Sequence, residues 1–268
     1  KDVSRGTEAR PFRAESSHEK EAVKAILTFR GKPVFGTRGI LADFASEAVS
    51  KFSDAVTAVA ASLGGPLSPM GPIPNRGVNQ LLITSTATGS FGFELEEYST
   101  ELPLDAVSPI EEALGRVHEV LNGTLGTDDE LADTVVETDS RALGLIRSFL
   151  QAMVDSEATC AFGFKGKTFR FADVAQVKTS LNRLSQDNFA EKEELLDGEL
   201  LGVLPKRRTF EFQVSNTGKI ISGKVGAAFA EPRKLNDSLE QQSKARMTVT
   251  TIGAGRPRYT LIELKTGE

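Results

Sequence analysis

Hydrophobic positions recur along this chain in two rhythms, one of three to four residues and one of two, and their order predicts its elements. The clearest longer rhythm runs over residues 40–63. There Ile40, Phe44, Val49, Phe52, Val56, Val59 and Leu63 fall on one stripe, which predicts an amphipathic helix stopped by Gly64-Gly65-Pro66. Before it, residues 22–29 read as a strand and 30–33 as a turn, with Val34 and Phe35 opening a second strand. A proline-rich connector follows over 66–77. Residues 81–84 and 89–95 then read as a hairpin, because Phe91, Phe93 and Leu95 alternate with Gly92 and Glu94. Ser108-Pro109 opens a helix to about residue 121. Thr127 and Glu130 form a capping box, and the helix behind it is predicted to reach Val154.

A strand over 158–164, a turn at 165–167 and a helix with Val174, Val177, Leu181 and Leu184 on one face complete this part. Phe29-Arg-Gly-Lys32 echoes Phe164-Lys-Gly-Lys167, so two weakly similar strand–helix units open near 22 and 158. The echo is short enough to be chance reuse of one turn. Residues 1–21 are polar, lack periodicity and read as an arm. Residues 185–198 are dense in charge, and an acidic α+β domain is expected over 22–194.

From 195 to 268 the rhythm shortens. Strands are predicted over 199–204, 209–214, 219–225, 245–252 and 258–263, with a helix-compatible stretch over 232–242. This order resembles the OB-fold, a five-stranded barrel whose strand 2–3 face and whose loops 1–2 and 4–5 bind oligonucleotides or oligosaccharides. The expected fold class is therefore α+β: a mixed hairpin and helix domain followed by a small five-stranded OB-like β-barrel.

Charge sharpens this division. The chain of 268 residues carries a net −5, yet residues 201–268 hold twelve lysines and arginines against six acids, a net +6. The remainder is correspondingly acidic, so the two parts are expected to face different partners. In the barrel, Lys206, Arg207 and Arg208 fall in loop 1–2, while Arg256 and Arg258 fall at loop 4–5 beside Tyr259. Such a set could neutralise phosphates, and arginine or tyrosine could stack on bases. Phe210 and Phe212 share one strand face and are expected to fill the core instead. The resulting expectation is a non-enzymatic binding protein that contacts nucleic acid or another polyanion through these six residues. Its acidic part would engage a protein partner or self-associate. The alternative is a regulatory subunit with the barrel as a docking module.

Catalytic patterns are sparse. Only His18 and His118 are present, neither with a ligand partner at helical spacing, and His118 beside Glu119 is expected on a solvated face. Cys160 is the single cysteine, which excludes an internal disulfide framework, and its apolar strand predicts an inert thiol. Ser90 lacks the spacing of a nucleophile elbow. Gly36-Thr-Arg-Gly39 lacks the lysine and serine of a nucleotide loop and reads as a capping turn. Glu94, Glu96 and Glu97 at a strand end could hold a divalent cation in a third, enzymatic reading. No cofactor or metal is expected. With no apolar run long enough for a bilayer and no signal-like segment, a soluble, cytoplasmic protein without membrane contact is expected.

Overall fold

The computed structural model describes residues 23–87, 91–98 and 107–266; the arm expected over 1–21 lies outside them, as does Ser90. Strand β1 (Lys24–Gly31) buries Ala25, Leu27 and Phe29 and exposes the residues between them, as a strand covered on one face requires. A two-stranded hairpin, β2 (Val34–Phe35) and β3 (Gly39–Ile40), leads into α1 (Ala42–Ser62). The Gly36–Gly39 segment is thus a hairpin turn with Gly36 at φ +57°, rather than the expected cap. Leu41 fills the N-cap position of α1 without a side-chain bond.

Strands β4 (Leu81–Ala87) and β5 (Phe91–Glu97) pair as the predicted hairpin. Helices α2 (Pro109–Leu125), α3 (Asp128–Val136) and α4 (Ser140–Asp155) follow, then β6 (Ala158–Phe164), β7 (Lys167–Arg170) and α5 (Val174–Arg183). The sheet runs β4-β5-β1-β6-β7 with antiparallel neighbours throughout. The helices cover its apolar face: Phe52 of α1 meets Phe149 of α4 at 5.4 Å and Phe162 of β6 at 5.1 Å, both edge to face.

The capping box forms, with the Glu130 amide donating to Thr127 and the Thr127 amide to Glu130. The helix expected to run to Val154 is instead two. Asp139 accepts from the amides of Arg141 and Ala142 and so starts α4 afresh, a local bond that outcompetes helix continuation. The other Asp139 oxygen takes the Leu67 amide at 3.0 Å, and Arg141 donates to the carbonyls of Ser68 and Gly71. These bonds pin the proline-rich connector against the helices.

The remaining strands are β8 (Phe189–Leu204), β9 (Thr209–Val214), β10 (Ile220–Val225), β11 (Gln242–Ile252) and β12 (Arg258–Thr266). They close a barrel in the order β10-β12-β11-β8-β9, with β10 and β12 parallel. β8 begins ten residues before the expected strand. The charged segment 189–198 is a strand because β11 pairs along its whole length. Arg246 of β11 faces opposite charge on both neighbours, reaching Glu193 of β8 at 3.9 Å and Glu263 of β12 at 3.3 Å. Phe210, Phe212, Ile221, Met247 and Leu261 fill the interior. Closure is tight: a Cβ on Gly223 would stand 2.2 Å from the Tyr259 carbonyl oxygen, so only glycine fits there.

The barrel is not separate from the helices. Ile252, at the end of β11, is fully buried in the helical core. Among the described residues no helix is long and apolar enough to cross a membrane.

Candidate functional site

Loop 1–2 of the barrel, residues 205–208, is a tight turn in which Arg208 adopts φ +49° and donates its amide to the Pro205 carbonyl. The Arg208 guanidinium turns inward. Nη2 donates to the carbonyls of Gly226 and Phe229 at 2.7 and 2.9 Å, and Nε to that of Val225 at 3.3 Å. It is a strut that ties the loop to the segment after β10. Lys206 and Arg207 are exposed and make no ion pair among the described residues.

Loop 4–5, residues 253–257, has a different environment. It lies on the first turn of α3, where the Ala254 amide donates to Asp128 at 3.0 Å and the Arg256 amide to Asp129 at 2.9 Å. Arg258 donates from Nε to Asp133 at 2.6 Å and lies 3.3 Å from Asp129. On its other side Asp128 takes Arg183 of α5 at 2.9 Å, and Arg183 also caps the carbonyls of Thr124 and Gly126 at the end of α2. Gly253 sits at φ +50°, and a Cβ there would lie 2.5 Å from Asp128 Oδ2. Donors hold both carboxyls below the ordinary aspartate range: the Ala254 backbone amide, then the Arg183 guanidinium, for Asp128, and the Arg256 backbone amide, then the Arg258 guanidinium, for Asp129. Of the two arginines there, Arg256 is the exposed one. Tyr259 is partly buried and packs against the barrel core.

Between loop 1–2 and the helices lies a cleft of about 730 Å³. Its barrel wall carries Lys206, Arg207 and Lys224; its other wall is built from the end of α1, from α2 and from the end of α3. Lys224 points outward because Ile221 and Val225 on the same strand point in. Glu137, just beyond α3, spans the cleft: Oε1 lies 2.5 Å from Lys224 Nζ, and Oε2 accepts from Arg116 of α2. Burial alone would push the Glu137 carboxyl up, but Lys224 and Arg116 together outweigh it and hold it below the ordinary glutamate range. Glu112 is the second carboxylate of the lining, against five basic side chains. The lining is therefore cationic, with apolar surface from Leu63, Val136 and Phe229 between the charges.

Of the six residues singled out in the sequence, the structure gathers Lys206, Arg207 and Arg208 at this cleft. Arg256 and Arg258 lie on α3 instead. Arg116, Lys224 and Glu137 were not singled out. Lys224 had a signal in the alternation of its strand; Arg116 and Glu137 had none, because helix packing alone brings them together.

Other candidates fall into the scaffold. His118 is not solvated as expected but buried against Phe162, its centroid 5.8 Å away, because it belongs to the face that α2 turns to the sheet. Its Nδ1 meets the Asn122 amide nitrogen at 2.9 Å, and Nε2 is buried without a partner among the described residues. Burial, aided by Lys167, holds its pKa below the usual histidine value. Cys160 is buried, and desolvation pushes its thiol up to about 12. Glu94 and Glu96 share the open sheet face and both pair with Lys24, at 3.5 and 3.1 Å. Glu97, one residue on, belongs to the opposite face, so alternation separates the expected trio. Among the described residues no three histidine, cysteine or acidic side chains gather as a metal site. Comparison with protein-family models, with curated proteins and with solved structures gives no significant match.

Proposed function

We propose that this is a binding protein whose barrel is OB-like and which takes nucleic acid or another polyanion in the cleft beside loop 1–2. The observation that carries the reading is the convergence of Lys206, Arg207, Lys224 and Arg116 on one cleft of about 730 Å³. With five basic side chains against Glu112 and Glu137, the lining as a whole is cationic, and a cleft with low-dielectric walls focuses that field toward an anionic ligand. The strand order supports the OB-like assignment: numbering the barrel strands one to five, the fourth lies beside the first, then come the second and third, a Greek key.

The proposal narrows the residues expected to make contact. Lys206 and Arg207, which hold no carboxylate among the described residues, lead; Lys224 and Arg116, both paired with Glu137 inside the cleft, join them once a ligand displaces that carboxylate, and Arg208 shapes the loop. Arg258 already holds two carboxylates, and Tyr259 serves the barrel core, so neither is assigned a direct contact. Arg256 is left as a peripheral cation.

Fluorescence anisotropy of a labelled oligonucleotide, titrated at low and near-physiological salt, tests this. Binding should weaken steeply with salt, and the Lys206→Ala, Arg207→Ala double variant should lower both affinity and slope, each lost phosphate contact removing about 0.7 to 0.9 from it. Binding by the double variant equal to that of the parent would refute the proposal. No binding at low salt would also refute it and turn attention to a docking partner.

A further inference from the structure

We infer that the cleft admits one phosphodiester backbone at a time, and so takes single-stranded rather than duplex nucleic acid, with a phosphate replacing the Glu137 carboxylate between Arg116 and Lys224. This rests on the polyanion reading and goes beyond it by naming the form of the strand.

The width of the cleft at Glu137 is the key. One carboxylate touches both walls, Arg116 through one oxygen and Lys224 through the other. The two cations therefore stand a single carboxylate apart. A phosphate offers the same geometry, two anionic oxygens on one centre, and arginine can grip it with two parallel hydrogen bonds. Lys206 and Arg207 at the exposed lip are placed for neighbouring phosphates of that strand. Phe229, partly buried in the lining, and Leu63 and Val136 offer apolar surface to an unstacked base.

A duplex does not meet these conditions. Its two backbones are held apart by grooves about 12 and 6 Å wide, and its base faces are turned inward. Its phosphates could touch Lys206 and Arg207, but no base of a closed duplex could lie on Leu63, Val136 or Phe229. Glu137 itself repels any phosphate that approaches, so it acts as a built-in competitor that a ligand must displace.

The test uses the full chain with two labelled probes of equal length, an oligothymidylate single strand and a mixed-sequence duplex, at low salt. The single strand should bind at least about tenfold more tightly than the duplex. Glu137→Gln should strengthen single-strand binding about threefold and leave the duplex unchanged, since it removes the competing charge. Arg116→Gln should weaken the single strand severalfold while the duplex is again unaffected. Thermal melting checks that each variant folds; if Arg116→Gln does not, Glu137→Gln decides. Equal affinity for both probes, with both still lost in the Lys206→Ala, Arg207→Ala variant, would overturn the inference and leave the polyanion reading standing. Failure of both probes to bind, even to Glu137→Gln, would overturn both.

Discussion

Two loops of the barrel carry similar positive charge, and the protein uses them in opposite ways. Loop 4–5 is folded onto Asp128, Asp129 and Asp133, so that its amides and Arg258 are satisfied within the chain. Loop 1–2 keeps Lys206 and Arg207 exposed over a cleft and uses only Arg208 internally. The difference shows that a basic cluster is defined by what faces it. The carboxylates at the start of α3 have a local reason to be there, since negative charge favours a helix N-terminus. The same charges receive the barrel, and so fix which of its loops remains open.

The comparison breaks most severely at Gly253. Gly253→Val should cost roughly 2–3 kcal/mol, because a β-branched residue is strained at positive φ and its Cβ would collide with Asp128. Chemical denaturation measures the loss. A valine variant as stable as the parent would mean that loop 4–5 is not clamped on α3.

A smaller effect is expected in binding. The Lys206→Ala, Arg207→Ala variant should lose about tenfold or more in oligonucleotide affinity while its melting temperature stays near that of the parent, since surface substitutions seldom matter for stability. Arg256→Ala should change affinity little. The reverse ranking would exchange the roles of the two loops.

Acid should separate the loops as well. Asp128 and Asp129 have folded pKa values below their unfolded ones, so their stabilising contribution is complete above the ordinary aspartate value, about 3.9, and is lost as pH falls from there through the lowered folded values. Asp128→Asn with Asp129→Asn should flatten the acid limb of a stability profile; an unchanged limb would show that these carboxylates do not hold the loop. The smallest effect lies away from both loops. Burial, then Lys167, lowers the His118 pKa, so its contribution is complete when pH exceeds about 6.5 and declines as pH falls below. His118→Leu should remove that slope, and a slope that persists in the variant would assign it to other groups.

What the sequence made legible follows from range. The stripe of α1, the hairpin of β4 and β5, the Thr127–Glu130 box and most barrel strands rest on spacings within a few residues, and each is present. The break at Asp139 rests on one capping side chain, and the apolar residues that continue on both sides of it mask the break. The first half of β8 has too few apolar residues to announce a strand, and only its pairing with β11 makes it one. For His118, the adjacent Glu119 outweighed the helical phase that turns the ring inward.

At the candidate site the same limit applies. Lys206, Arg207 and Arg208 are neighbours in sequence and could be read as a unit. The partners of Arg258 lie 125 to 129 residues away, and Arg116, Glu137 and Lys224 meet only when the barrel closes on the helices. No local pattern carries such information.

The most direct measurement is hydrogen–deuterium exchange with and without a saturating single-stranded oligonucleotide. Protection is expected at residues 205–208, at 224–230 and around Arg116, with residues 253–258 unchanged because loop 4–5 lies on α3 away from the cleft, its Ala254 and Arg256 amides bound to Asp128 and Asp129. Protection confined to 253–258, with 205–208 unaffected, would contradict the account.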